Sequence, residues 1–129
     1  MKDMATVEIL KPGQFVHENK TWLRLLEFFK QENTVLKNRL AEVLDHKNNK
    51  EFLALAEHFQ NLFIIKDEFI DELRHDVNGQ VQALSNKERM TLDQKIIKKQ
   101  EKLRNELEYL EKDFSKLKND FNRYLSTHL

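Results

Sequence analysis

The side chains best suited to chemistry in this chain are its five histidines, at positions 17, 46, 58, 75 and 128. Glu72-Leu73-Arg74-His75 reads Glu-x-x-His, the element that di-iron carboxylate bundles use twice, together with single glutamates from two further helices. One copy is present, and with Leu73 facing a core, Glu72 and His75 fall on the outer arc of their helix, so ligands placed there would point into water. A hemerythrin-like carrier needs His-x-x-x-Glu, which follows none of the histidines. His17, Asp76 and Asp93 could meet at one end of a bundle as a mononuclear metal site, although three solvated surface groups are the better explanation. His58 should come level with Asp113 and could form a His-carboxylate dyad, the geometry of a general base. No nucleophile or glycine-lined pocket accompanies it, so a hydrogen-bonded histidine at the core edge is the expectation.

Other chemistries are excluded by what the sequence lacks. There are no cysteines, which removes thiolate nucleophiles, disulfides and cysteine-ligated metal sites. There is no Gly-x-Gly-x-x-Gly and no P-loop to cradle a phosphate. Lys87, Arg89, Lys95, Lys98, Lys99 and Lys102 outnumber Glu88, Asp93 and Glu101 in one stretch. Those charges are spread around a helix without exposed aromatic platforms, which reads as a solvated face and not as a nucleic-acid stripe. Lys plus Arg and Asp plus Glu are equal at 22 each, so no global field gathers nucleic acid or an anionic membrane. The acidic start Met1-Lys2-Asp3 lacks a signal-peptide pattern and no run approaches a membrane span, so the sequence leads us to expect a cytoplasmic protein. We assign no catalytic, cofactor-binding or metal residue and expect no enzyme. The alternative carried forward is a metal- or small-ligand-binding bundle using His17, His58 or His75 with neighbouring carboxylates.

The elements that would position these residues are helices. In 129 residues, 40% are hydrophobic and 34% charged, with two glycines and one proline, too few turn formers for an all-β chain. The breaks are Pro12-Gly13, Asp45 to Asn49, and Ser85-Asn86, and they divide a single domain into helices over 14–44, 50–84 and 86–128 after an irregular lead. On a wheel of 100° per residue, Trp22, Leu26, Phe29, Leu36, Leu40 and Val43 form the inner face of the first helix, widened by Phe28 and Val35. In the second, Phe52, Leu55, Phe59, Leu62, Phe63, Ile70, Leu73, Val77, Val81 and Leu84 keep one phase through Asn78-Gly79. A loop there would reset that phase, so a kinked or frayed turn is expected within one helix, not a boundary. Ser85-Asn86-Lys87-Glu88 matches a capping box at the start of the third helix. Ile96, Gln100, Leu103, Leu107, Leu110, Phe114, Leu117, Phe121 and Tyr124 then alternate threes and fours, the spacing of a coiled-coil seam.

Short connections make neighbouring helices antiparallel, giving a three-helix bundle with coiled-coil-like packing and the third helix longest. Tight turns pair the first two helices where residue numbers add to about 95, and the last two where they add to about 171. Lys66 is then expected opposite Glu32, and Arg39 near Glu57. At about 60 Å the third helix should overhang, leaving Phe121, Tyr124 and Leu125 for a homodimer or a helical protein partner to cover. The leading expectation is a non-enzymatic interaction or structural module.

The pattern Trp22-Leu23-x-x-Leu26, Glu57-His58-Phe59-Gln60-Asn61 and Ile70-Asp71-Glu72-Leu73-Arg74-His75-Asp76 resembles small uncharacterised bacterial all-helical bundle proteins. The resemblance covers the first two helices. It implies a helical bundle and a bacterial source, and no site.

Overall fold

The computed structural model describes residues 12–46, 49–85 and 94–128. Three helices pack against one another: α1 (Pro12–Leu44), α2 (Lys50–Leu84) and α3 (Gln94–His128). Proline suits the first turn of α1, where its missing N–H would have found no helical partner. The Asn49 side chain caps α2 by accepting from the Phe52 N–H at 2.7 Å, satisfying one of the donors that a helix start leaves open. As expected, no helix boundary falls at Asn78-Gly79, and α2 runs helical through it without a frayed turn. The irregular lead, Asn86 to Asp93 and Leu129 lie outside the described residues.

Ser85 closes α2, its Oγ donating to the Gln82 carbonyl at 2.8 Å; the rest of the expected capping box, Asn86-Lys87-Glu88, lies outside the described residues. Over the described residues the second and third helices are of equal length, 35 residues each.

Each helix buries one seam in which steps of four and three alternate. In α1 it is Phe15, Asn19, Trp22, Leu26, Phe29, Asn33, Leu36 and Leu40. In α2 it runs Phe52, Ala56, Phe59, Phe63, Lys66, Ile70, Leu73, Val77, Gln80 and Leu84, and in α3 it follows the expected positions from Ile96 to Tyr124. A 3.5-residue repeat keeps such a seam facing its neighbours along the whole helix. Phe28 and Val35, expected to widen the inner face of α1, are instead 52% and 61% exposed.

The expected overhang is also absent. Phe121, Tyr124 and Leu125 are buried; Phe121 meets Phe63 and Phe59 with ring centroids 5.0 and 5.4 Å apart, and the Tyr124 hydroxyl donates to the Phe52 carbonyl at 2.9 Å. The cause is register. Gln80 meets Gln100 and Lys66 meets Asp113, roughly two turns further along α3 than a tight turn at Ser85 allows. The end of α3 is thereby drawn back level with the start of α2, and the apolar surface that was to call for a dimer is covered from within.

Candidate functional site

Polar residues interrupt the seams at three levels, and the structure supplies each with partners. At the level of Gln100, its amide donates to Asn19 Oδ1 at 2.8 Å and Glu18 Oε1 at 2.9 Å, while its own oxygen accepts from Gln80 at 2.9 Å. Arg104 closes this layer with two hydrogen bonds to the Glu18 carboxylate, at 2.7 and 2.9 Å. Partial burial opposes ionisation of Glu18, but the Arg104 and Gln100 hydrogen bonds and the Arg104 charge outweigh it and hold the carboxyl below its ordinary value.

Along the α1–α2 flank, Asn33 donates to the Phe63 carbonyl at 2.9 Å and to Asp67 at 2.8 Å. Lys37 also bonds Asp67, Lys30 reaches Asp71 at 3.0 Å, and Arg74 reaches Glu27 at 3.2 Å. Burial again works against the charge on Asp67, and Lys37, Asn33 and Lys30 together overcome it and lower its pKa. Among the described residues, Asn19 Nδ2 and Asn33 Oδ1 are buried without a hydrogen-bond partner. In a seam such amides fix which residues lie level, at some expense of stability.

At the third level Lys66, buried in the α2 seam, pairs with Asp113 of α3 and not with the expected Glu32. Glu32 instead accepts from Lys118 of α3 at 3.3 Å. Arg39 and Glu57 are both exposed, and no ion pair joins them.

The histidines do not converge. His58 and Asp113 share a groove, but the carboxylate is engaged by Lys66 and the imidazole packs on the Phe59 ring, centroids 5.6 Å apart. His17 is exposed at the start of α1, His75 lines a groove beside Asp76, and Asp93 lies outside the described residues. Glu72 and His75 are both exposed, as the outer-arc reading expects. Among the described residues no group of three or more histidine and acidic side chains is arranged to hold a metal ion.

What the structure does bring together is a groove along the α2–α3 flank. Near the end of α2 it is lined by His75, Asp76, Gly79, Lys95, Lys98 and Lys99. Two further hollows lie on the same flank, one lined by His58, Leu62, Ile65 and Lys116, the other by Leu55, Arg123 and Thr127. Leu55, His58, Leu62, Ile65 and Phe69 lie on α2 at steps of three and four, a row at the core's edge in which Leu62 and Phe69 pack partly against the core and Leu55, His58 and Ile65 are exposed. Ile65 is 57% exposed, and Tyr109, whose ring meets Phe69 edge-on at 6.1 Å, is 60% exposed. Sequence reasoning placed Leu55 inside, although it is exposed, and Leu62 inside, where it is in fact half-buried against the core, and it passed over Ile65 and Tyr109; the three-four spacing through Leu55, Leu62 and Phe69 was the available signal.

No protein family, no curated protein and no solved structure matches this chain. Among the described residues no helix is long and apolar enough to cross a membrane.

Proposed function

We propose that this chain is a non-enzymatic helical interaction module that pairs with a second copy of itself through the α2–α3 flank. The observation that carries this reading is the exposed Leu55, Ile65 and Tyr109, continuous along the α2–α3 flank with the half-buried Leu62 and Phe69. Contiguous apolar rows of this kind are what helices bury when they associate.

The charges on either side favour a copy of the same chain. Beyond the row, α2 carries the exposed Glu57, Glu68 and Glu72; on the other side α3 carries the exposed Lys112, Lys116 and Arg123. A two-fold axis parallel to the helices lays the acidic edge of each copy on the basic edge of the other. The packing would be coiled-coil-like outside as it is inside. A cytoplasmic, bacterial setting belongs to the same reading and rests on sequence alone.

Light scattering over a concentration series tests the pairing. A dimer is expected, with Ile65→Glu and Tyr109→Glu each giving a folded monomer. Glu68→Lys should weaken association, and Lys116→Glu in the same chain should restore it. A native protein that stays monomeric at high micromolar concentration would end the reading.

A further inference from the structure

We infer that the upper part of the α2–α3 groove is a binding site for a small polyanion built of linked phosphate groups. The groove has a volume of about 640 Å³, within the usual range of small-ligand sites. Lys95, Lys98, Lys99 and Lys102 line one wall from a single face of α3, and His75 and Asp76 stand on the other.

In a chain of zero net charge this is a concentrated patch, and its charge is only partly answered. Lys99 lies 3.7 Å from Asp76 and Lys102 lies 3.8 Å from Glu106. Among the described residues, Lys95 and Lys98 have no carboxylate within ion-pair distance. Lysines four apart on a helix repel one another, so Lys95 against Lys99 and Lys98 against Lys102 oppose folding until an anion sits between them. Lysine suits this role because its ammonium is a compact point charge that binds phosphate without demanding a planar partner.

Shape separates a site from a merely solvated lysine face. Gly79 stands in the wall from mid-helix, and a Cβ added there meets nothing within 4 Å. With Ala83 and Ile96 it leaves a small apolar floor under the lysines. Residues 95 to 102 extend over about 10 Å, so one isolated dianion reaches two lysines at most, whereas linked phosphates can reach all four. The site uses none of the residues invoked for dimerisation.

Calorimetric titration with tripolyphosphate, orthophosphate and ATP tests this, on the native chain and in the Ile65→Glu background so that loss of the dimer is separated from loss of the site. Saturable binding of tripolyphosphate is expected, orthophosphate being weaker by about tenfold or more because it spans fewer lysines. The double variant Lys95→Gln/Lys98→Gln should lose about tenfold or more, and the charge-matched control Lys20→Gln/Lys50→Gln less than about twofold. Gly79→Leu fills the groove without backbone strain; it should fold, by circular dichroism, and lose binding. ATP equal to tripolyphosphate makes phosphate the whole determinant; tighter ATP binding adds a base stacked on the Gly79 and Ala83 floor, and either sustains the proposal. No saturable binding, an equal loss in the control pair, or binding confined to an oligonucleotide or an acidic peptide would overturn it.

Discussion

Helix α2 is used twice, and its two flanks are finished differently. Toward α1 the surface is closed by a ladder of charges in which Arg74, Asp71 and Asp67 meet Glu27, Lys30 and Lys37. Toward α3, among the described residues, the ion pairs Lys66 with Asp113 and Lys99 with Asp76 are widely spaced; Phe69 and Tyr109 lie between them, and Leu55, Leu62 and Ile65 lie before Lys66. Surface ion pairs add little stability singly, but the ladder covers this stretch of the flank with hydrated side chains, leaving the exposed Ile64 and a small hollow beside Ala41 and Leu44 beyond its end. This contrast is why we propose the α2–α3 flank, and not the α1–α2 flank, as the surface for association.

The largest effect sets the scale for both flanks. Phe63 is fully buried between them and packs on Phe59 and Phe121. Phe63→Ala should cost about 3–5 kcal/mol in chemical denaturation, whichever flank is then probed. A cost below about 1 kcal/mol would mean that the core collapses around the gap.

Asp67 sharpens the contrast on the closed flank. Asp67→Asn removes the carboxylate that Lys37 and Asn33 share and should cost about 1–2 kcal/mol at neutral pH. Asp67 and Glu18 are both held below their ordinary values in the folded chain. A depressed carboxyl contributes its full stability above the unfolded value and loses it as pH falls through the folded one. The native protein should therefore be pH-insensitive near neutrality and weaken below about pH 4, with a shallower acid limb in Asp67→Asn. An unchanged limb would show that the ladder is decorative and the flank is closed by packing alone.

How far these flanks could be read from sequence depended on the period applied. The α3 seam was legible because its apolar residues follow a 3.5-residue repeat among charges. In α1 a 100° wheel drifts by about 20° per heptad against that repeat, which drew Phe28 and Val35 inward and hid Asn19 and Asn33 in the seam. The partner of Lys66 was misread because no glycine or proline marks the length of the α2–α3 connection, and a shift of two turns moves every cross-helix pair. The same shift decides which lysines face Gly79, so the basic excess was visible in the sequence while the groove it lines was not.

Gly79 probes the open flank from its floor. Glycine inside a helix is worth about 1 kcal/mol less than alanine, and nothing stands where the new methyl would go. Gly79→Ala should stabilise the chain by about 0.5–1 kcal/mol, read as a raised denaturation midpoint with unchanged slope. Destabilisation would mean that the groove is narrower than described.

The smallest effect is expected where a buried charge seems to promise the largest. Lys66 occupies a seam position and bonds Asp113, and breaking a buried pair usually strands a charge. Here the stranded partner is not buried: the Asp113 side chain is 36% exposed on the open flank and regains water when Lys66 is replaced. Methionine refills the seam with a side chain of similar length and no desolvation cost. Lys66→Met should thus stay within about 1 kcal/mol of the native stability, on either side. A loss of several kcal/mol would show that Asp113 is sealed from solvent, and the α2–α3 flank would then be as closed as its counterpart.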